Sequence, residues 1–370
     1  MSTLGASRLA LTLTIALVIA GLATFDKFLA SAQEAAVEQL ARRSYLDGLV
    51  ERRAGKTNEA VEAFRKAHAL ERGNTEYELE LTDALIAAGK RDQADLLMRE
   101  LLDEEPNDGR ANLLAAHLMI AEERIAEAES YYHRAIYGEW PSDAIAHQIA
   151  VRMELADFLA GKGKQQELLA ELLPLQEQTR NTPALERPIA QLFLAAGSPS
   201  RAVDEYWALI KQNPKDAAAH VGLGEAELQR GEYRAAHEAF ADAATQKPDD
   251  DSIRHKLQLS STLMALDPTP RKLTSMEKYQ RSLRILDRTR SDLEECIASH
   301  PALDSEATEE LLISANNVLT GTIPASVTNE TAENVLGLAE KAWQTRLKAC
   351  GASISPNEEP LRLIFQRLAQ

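Results

Sequence analysis

Aromatic residues are scarce in this chain, 5% of 370, and cysteine occurs only twice. The apolar content, 45% by residue, therefore falls mainly on Ala and Leu, both good helix formers, and the expected fold class is all-α. Basic charge is also short: 41 Lys and Arg stand against 57 Asp and Glu, a net charge of −16. Nucleic acid is held by cations that neutralise phosphates, so this balance argues against it as a partner. The densest basic cluster, Arg42, Arg43, Arg52 and Arg53, reads as a solvated helix face.

Motifs that carry chemistry are missing too. No HExxH, CxxC, GxxxxGK or GxSxG occurs, and none of the eight histidines has a second one within a helical turn. The abundant carboxylates are what composition alone puts on helical faces. The sequence therefore predicts no catalytic residues, no cofactor and no metal, and hence no enzyme.

One long apolar run is present, Leu9 to Phe25, "LALTLTIALVIAGLATF". As a helix it spans roughly 25 Å, short for a bilayer core and long for the apolar part of a cleaved signal. Ala30-Ser31-Ala32 offers a small-x-small cleavage site, so residues 1–32 read as a signal-anchor or a signal peptide. Arg8 precedes the run while Lys27, Arg42 and Arg43 lie after it, yet long domains translocate largely regardless of such charges. The expectation is a single-pass membrane protein with an extracytoplasmic, periplasmic body, or a secreted or periplasmic one if the leader is removed.

A 34-residue register organises the chain from about residue 41 to residue 250. Gly55 and Gly89 are 34 apart, as are Gly89 and Glu123, then Gly163, Gly197 and Gly231; only the step from Glu123 to Gly163 is longer, at 40. Five residues after each stand Ala60, Ala94, Ala128, Leu168, Ala202 and Ala236, and four further on Phe64, Met98, Tyr132, Leu172, Tyr206 and Phe240. Each glycine separates two apolar-periodic runs, where a tight turn needs positive φ. Gly224 and Ala236 let the two helices of a hairpin close on each other, while Tyr233, Phe240 and Ala243 fill the space between hairpins. Pro106, Pro214 and Pro248 end three of the units. A single hairpin cannot bury its own apolar face, so neighbours must stack.

This pattern resembles the tetratricopeptide repeat family over six units from Ala41 to Asp250. The third unit departs from it with Glu123 at the turn, the fourth with a bulky Leu168, and six extra residues fall within "WPSDAIAHQIA", Trp140 to Ala150. They predict either a kink or widened groove, or only a longer loop or first helix. The resemblance implies a right-handed α-solenoid of about six hairpins over 41–250, followed by a C-terminal helical bundle. Residues 251–272 read as a capping helix and a Pro-rich linker, and 273–370 as the helical domain, with helices through Met276 to Ile297, Leu311 to Val318, Val335 to Leu347 and Pro360 to Leu368.

Cys296 and Cys350 both continue apolar helix faces in this tail. They pair as a disulfide in an oxidising compartment or remain buried thiols, a catalytic thiol being the least expected reading.

The resemblance also implies that the first helix of each hairpin lines a concave groove. Ten and six residues before each turn stand Tyr45 and Leu49, Leu79 and Asp83, Leu113 and His117, Met153 and Asp157, Arg187 and Gln191, Val221 and Glu225. Their mixed polarity suits an extended peptide or a partner helix. They lack the Lys and Asn pairs with which some family members clamp a free C-terminal carboxylate. The function expected is a non-enzymatic protein–protein interaction scaffold or adaptor at the cell envelope, tethered to the membrane by the N-terminal segment. The alternatives are an enzyme with an unrecognised site in the C-terminal domain, and a structural homo-oligomer.

Overall fold

The structure, a computed structural model, describes residues 3–180, 182–299, 305–351 and 358–369, with side chains from residue 24 onward apart from that of residue 183. Seventeen α-helices, α1 (Thr3–Arg53) to α17 (Glu359–Leu368), account for its regular structure. The fold is all-α, built of repeated helical hairpins. Two compact units divide the chain, Met1–Phe158 and Leu159–Gln370.

In the first unit the end of α1 pairs with α2 (Thr57–Leu70), α3 (Thr75–Ala87) with α4 (Arg91–Glu104), and α5 (Gly109–Ala121) with α6 (Ile125–Ile136), before α7 (Ala144–Gly161). The second holds α8 (Gln165–Thr179), α9 (Pro183–Ala195), α10 (Pro199–Gln212), α11 (Ala217–Gln229) and α12 (Tyr233–Gln246). The six turn positions share one conformation. Gly55, Gly89, Gly163, Gly197 and Gly231 have φ between 66° and 73°, and Glu123 joins them at 61°. Beyond each, the next amide reaches back to a carbonyl five residues earlier, as Lys90 N to Leu85 O at 2.9 Å and Arg124 N to Met119 O at 2.9 Å, the Schellman closure of a helix C-terminus. The turn is thus set by backbone hydrogen bonding, and the register holds even where glycine is missing.

Helix starts repeat as well. Asn74, Asp108, Asp216 and Asp250 each accept a first-turn amide with the side chain, as in Asp108 Oδ1 to Ala111 N at 2.7 Å. Pro106, Pro214 and Pro248 stand two residues before three of these caps, so the proline that stops one helix leads into the residue that starts the next.

Packing inside a hairpin depends on one close approach. A Cβ on Gly48 would lie 2.6 Å from the Phe64 ring, and one on Gly224 would lie 2.4 Å from Phe240. The small residues at the facing position, Ala60 to Ala236, are buried, and so is Leu168. The six extra residues lengthen the loop and the helix after it: α7 has 18 residues where α3, α5, α9 and α11 have 13. The loop is tied down by Gly109 N to Glu139 O at 2.8 Å and Glu139 N to Asn107 O at 2.7 Å. Trp140 donates to Ala135 O at 2.9 Å and stacks on His147, ring centroids 4.3 Å apart.

After α12 come α13 (Asp251–Leu266), α14 (Ser275–Ser299), α15 (Glu306–Thr320), α16 (Asn329–Cys350) and α17. The boundaries expected at 250 and 272 do not separate cores. Tyr233 of the last hairpin, Leu263 and Leu266 of α13, and Ile285, Trp343 and Ile364 of the tail belong to one buried cluster. Cys296 and Cys350 are joined as a disulfide with Cα atoms 6.1 Å apart. Beside it Arg346 and Glu358 form a buried ion pair at 2.7 Å.

One expectation is corrected. Among the described residues no helix is long and apolar enough to cross a membrane, which overturns the single-pass placement with an extracytoplasmic body. Most of the run Leu9–Phe25 has its side chains outside the described residues.

Candidate interaction site

The groove residues fall on two surfaces with different polar chemistry. In the first unit, neighbouring first helices are stitched together by their own charges. Tyr45 on α1 donates to Glu76 Oε1 at 3.2 Å, and Arg110 on α5 donates to Glu76 Oε2 at 2.5 Å. Arg110 holds the Glu76 carboxyl below its usual range, against a burial that raises it. Burial, with Glu76 nearby, pushes the Tyr45 phenol up to about 12. Arg52 bridges Glu80 and, at 3.1 Å, Asp83. Further along, His117 Nε2 meets Glu154 Oε1 at 2.5 Å and the Tyr132 hydroxyl donates to the same oxygen at 2.7 Å. Burial raises the Glu154 carboxyl, but the two hydrogen bonds outweigh it and leave the group lowered.

Six of the eight predicted groove residues here, Tyr45, Leu49, Asp83, Leu113, His117 and Met153, are half-buried; Asp157 is exposed. Leu79 is not a surface residue: it is 3% exposed and packs with Leu101 and Ala111 between hairpins. Its register position is taken up by packing between hairpins, with Leu102 and Leu114 beside the cluster.

In the second unit, Arg187 and Gln191 on α9 and Val221 and Glu225 on α11 line one cleft of about 320 Å³. Tyr206 forms its floor, and it can lie there because Gly222 has no side chain: a Cβ would sit 2.2 Å from the phenol ring. Burial pushes the Tyr206 hydroxyl up to about 12, so it stays neutral. Arg187 pairs through one terminal nitrogen with Asp216, while its Nε is buried with no hydrogen-bond partner among the described residues. Lys256 reaches Glu225 at 2.7 Å. The cleft therefore presents an ion-paired guanidinium, an ion-paired carboxylate, the Gln191 amide and an apolar floor side by side, which is what a backbone with alternating side chains can use. Among the described residues no group of three or more His, Cys, Asp or Glu is placed to hold a metal.

Sequence reasoning missed Glu76, Arg110, Glu80 and Glu154 in the first unit, and Tyr206, Gly222 and Lys256 in the second. A signal existed for two of them: Arg42, Glu76 and Arg110 stand 34 residues apart and alternate in charge.

Tetratricopeptide repeat family models match residues 51–118, in the first unit, and 188–251, in the second. A curated relative, "Putative cellulose synthase operon protein C" of Escherichia coli O157:H7, is 25% identical over 228 residues. The match takes in 59% of this chain but only 19% of the relative. Among solved structures, YrrB, "a TPR protein with an unusual peptide-binding site", is 18% identical with a TM-score of 0.40, covering 54% of this chain and 99% of that one. PilW, a "widely conserved type IV pilus biogenesis factor", is 16% identical with a TM-score of 0.42, covering 60% and 97%. PilF of Pseudomonas aeruginosa is 15% identical with a TM-score of 0.35, covering 51% and 83%. None of these structural likenesses carries a functional argument.

Proposed function

With tetratricopeptide repeats in each of its two units, repeats that generally mediate protein–protein interaction, we propose that the chain is a non-enzymatic scaffold that holds an extended peptide segment of a partner protein. The observation that carries this reading is the cleft along α9 and α11, where Arg187, Gln191, Val221 and Glu225 converge over the Tyr206 floor. An extended strand has unpaired backbone amides and carbonyls on both edges and side chains that alternate between faces. Gln191 and Glu225 supply acceptors for its amides, the Gln191 amide nitrogen supplies a donor for a carbonyl, and Val221 with Tyr206 receives an apolar side chain.

Panning a phage-displayed peptide library on the full chain tests the proposal. Selected peptides should bind the wild-type chain saturably and lose most of their affinity on Val221→Arg, which fills the cleft with a charged side chain. Peptides indifferent to Val221→Arg, or no enrichment at all, would count against this cleft as the site.

A further inference from the structure

A second concave surface in the same unit carries the opposite sign of charge from the chain as a whole. It is a cleft of about 1150 Å³ between the start of α12, the end of α13, the loop 267–274 and the end of α17. Five cations and two carboxylates line it, in a chain of net charge −16. Much of that charge is already used. Arg367 pairs with Asp267 at 2.7 Å, and Arg281 donates to the carbonyls of Met264 and Asp267, each at 2.7 Å. Asp267 also accepts from Thr269 N at 2.9 Å and Thr269 Oγ1 at 2.8 Å, which fixes the loop. Leu273 N closes a turn on Pro270 O at 3.1 Å.

That turn presents Arg271 and Lys272, and the first turn of α12 presents Arg234. All three are exposed, and none has an ion-pair or hydrogen-bond partner among the described residues. Glu232 is the one lining carboxylate left to offset them. Half-buried Met264, Leu273 and Leu368 add apolar surface.

We propose that this cleft binds an acidic segment of a partner protein, a short run of carboxylates next to an apolar side chain. Three unpaired cations converging from two elements match a few localised charges, and the apolar wall matches a side chain a polyphosphate does not have. A nucleic acid would extend its phosphates past this patch over a surface of net negative charge, where repulsion opposes it. A peptide confines its charge to the residues that touch. The site shares no lining residue with the cleft on α9 and α11, so the two can be tested apart.

The experiment uses the full chain and a fluorescein-labelled peptide of alternating Asp, Glu and Leu, followed by fluorescence anisotropy, with an Asn, Gln and Leu peptide as the neutral control. Saturable binding is expected for the acidic peptide alone, weakening as salt rises from about 20 to about 150 mM. Arg271→Glu combined with Lys272→Glu should weaken it by about tenfold or more, with an unchanged circular dichroism spectrum, while Val221→Arg leaves it intact. The proposal is overturned by absent saturable binding, by indifference to the charge reversal, or by loss on Val221→Arg. It is overturned equally if single-stranded oligothymidine of equal charge binds as tightly.

Discussion

The two units build the same hairpin and finish its surface differently. Gly48 against Phe64 in the first unit and Gly224 against Phe240 in the second are the same device, a glycine that admits a ring from the facing helix. On the first-helix faces the resemblance stops. The first unit spends its polar groups on itself, through Tyr45, Glu76 and Arg110 and through His117, Glu154 and Tyr132. The second also pairs Arg187 with Asp216 and Glu225 with Lys256, but it opens a cleft beside them at Gln191 and Val221, and another at Arg234, Arg271 and Lys272, which have no ion-pair partner among the described residues. The interior of a repeat is constrained by packing, whereas its faces are free to become either an internal brace or a binding surface.

The largest test breaks the shared device. Phe64 and Phe240 are both fully buried, and truncating either to Ala should cost about 3–5 kcal/mol. Trp140 is the sole tryptophan of the first unit, and Trp207 and Trp343 lie in the second, so fluorescence can track each unit during urea unfolding. Phe64→Ala should move the Trp140 transition and leave that of Trp207 and Trp343 in place; Phe240→Ala should do the reverse. Equal shifts in both signals would mean that the units unfold as one.

A slightly smaller effect separates the units covalently. The Cys296–Cys350 bridge closes 54 residues of the second unit, and the loop-entropy estimate for such a closure is about 4 kcal/mol, with native strain commonly reducing it. Reduction should therefore lower the midpoint of the second unit while the Trp140 transition stays put. An unmoved second unit would show that the helical tail is held by its apolar cluster alone.

Each unit also holds a carboxylate partly out of water at a cost. Burial, with Glu100 and Glu104 nearby, raises Glu78 in the first unit from 4.5 to about 7. Burial and Glu358, against Arg346, raise Asp292 in the second to about 6. A carboxyl with a raised folded pKa keeps its proton in the native state while the unfolded chain loses it, so stability falls as pH climbs between the two values. For Glu78 that window is 4.5 to about 7, and the loss is on the order of 3 kcal/mol. Glu78→Gln should thus stabilise the first unit at about pH 8 and make no difference near pH 4.5. His68, whose pKa burial lowers, works in the opposite sense on acidification, so the wild-type-minus-variant gap is the quantity to measure by denaturant titration. A gap independent of pH would remove Glu78 as the titrating group.

Much of this was legible from spacing. The positions of Gly55 to Gly231, the small residues after them and the rings four further on report backbone and packing demands that recur at each hairpin, and the sequence periodicity exposes them directly. Leu79 was misplaced because register alone does not tell a groove position from one that packs into the interface between hairpins, here against Leu101 and Ala111. The cleft on α9 and α11 was half visible: Arg187, Gln191, Val221 and Glu225 come from the register, but Tyr206 comes from a second helix and is admitted only by Gly222. Arg234, Arg271 and Lys272 converge through the fold of the tail, far apart along the chain, and no periodicity links them. The apolar run Leu9–Phe25 illustrates a different limit, since hydropathy reads a segment and not its placement.

The smallest effect bears on why the register survives at Glu123. An L-residue in the left-handed region crowds its Cβ against the next carbonyl, at roughly 1–2 kcal/mol, and glycine escapes that cost while giving up about 0.5–1 kcal/mol of unfolded-chain entropy. Glu123 adopts φ 61° with an exposed side chain, and among the described residues no ion pair or hydrogen bond of that side chain offsets the strain. Glu123→Gly should therefore raise the first unit's stability by about 0.5–1 kcal/mol, seen as a higher urea midpoint at unchanged slope. Gly89→Glu, the reverse exchange one hairpin earlier, should lower it by a similar amount, because its φ of 69° lies in the same region and a Cβ there meets open space, so backbone strain alone is read. If Glu123→Gly destabilised the unit, the carboxylate would have to contribute more than the strain costs, and the six turns would share a shape without sharing a cause.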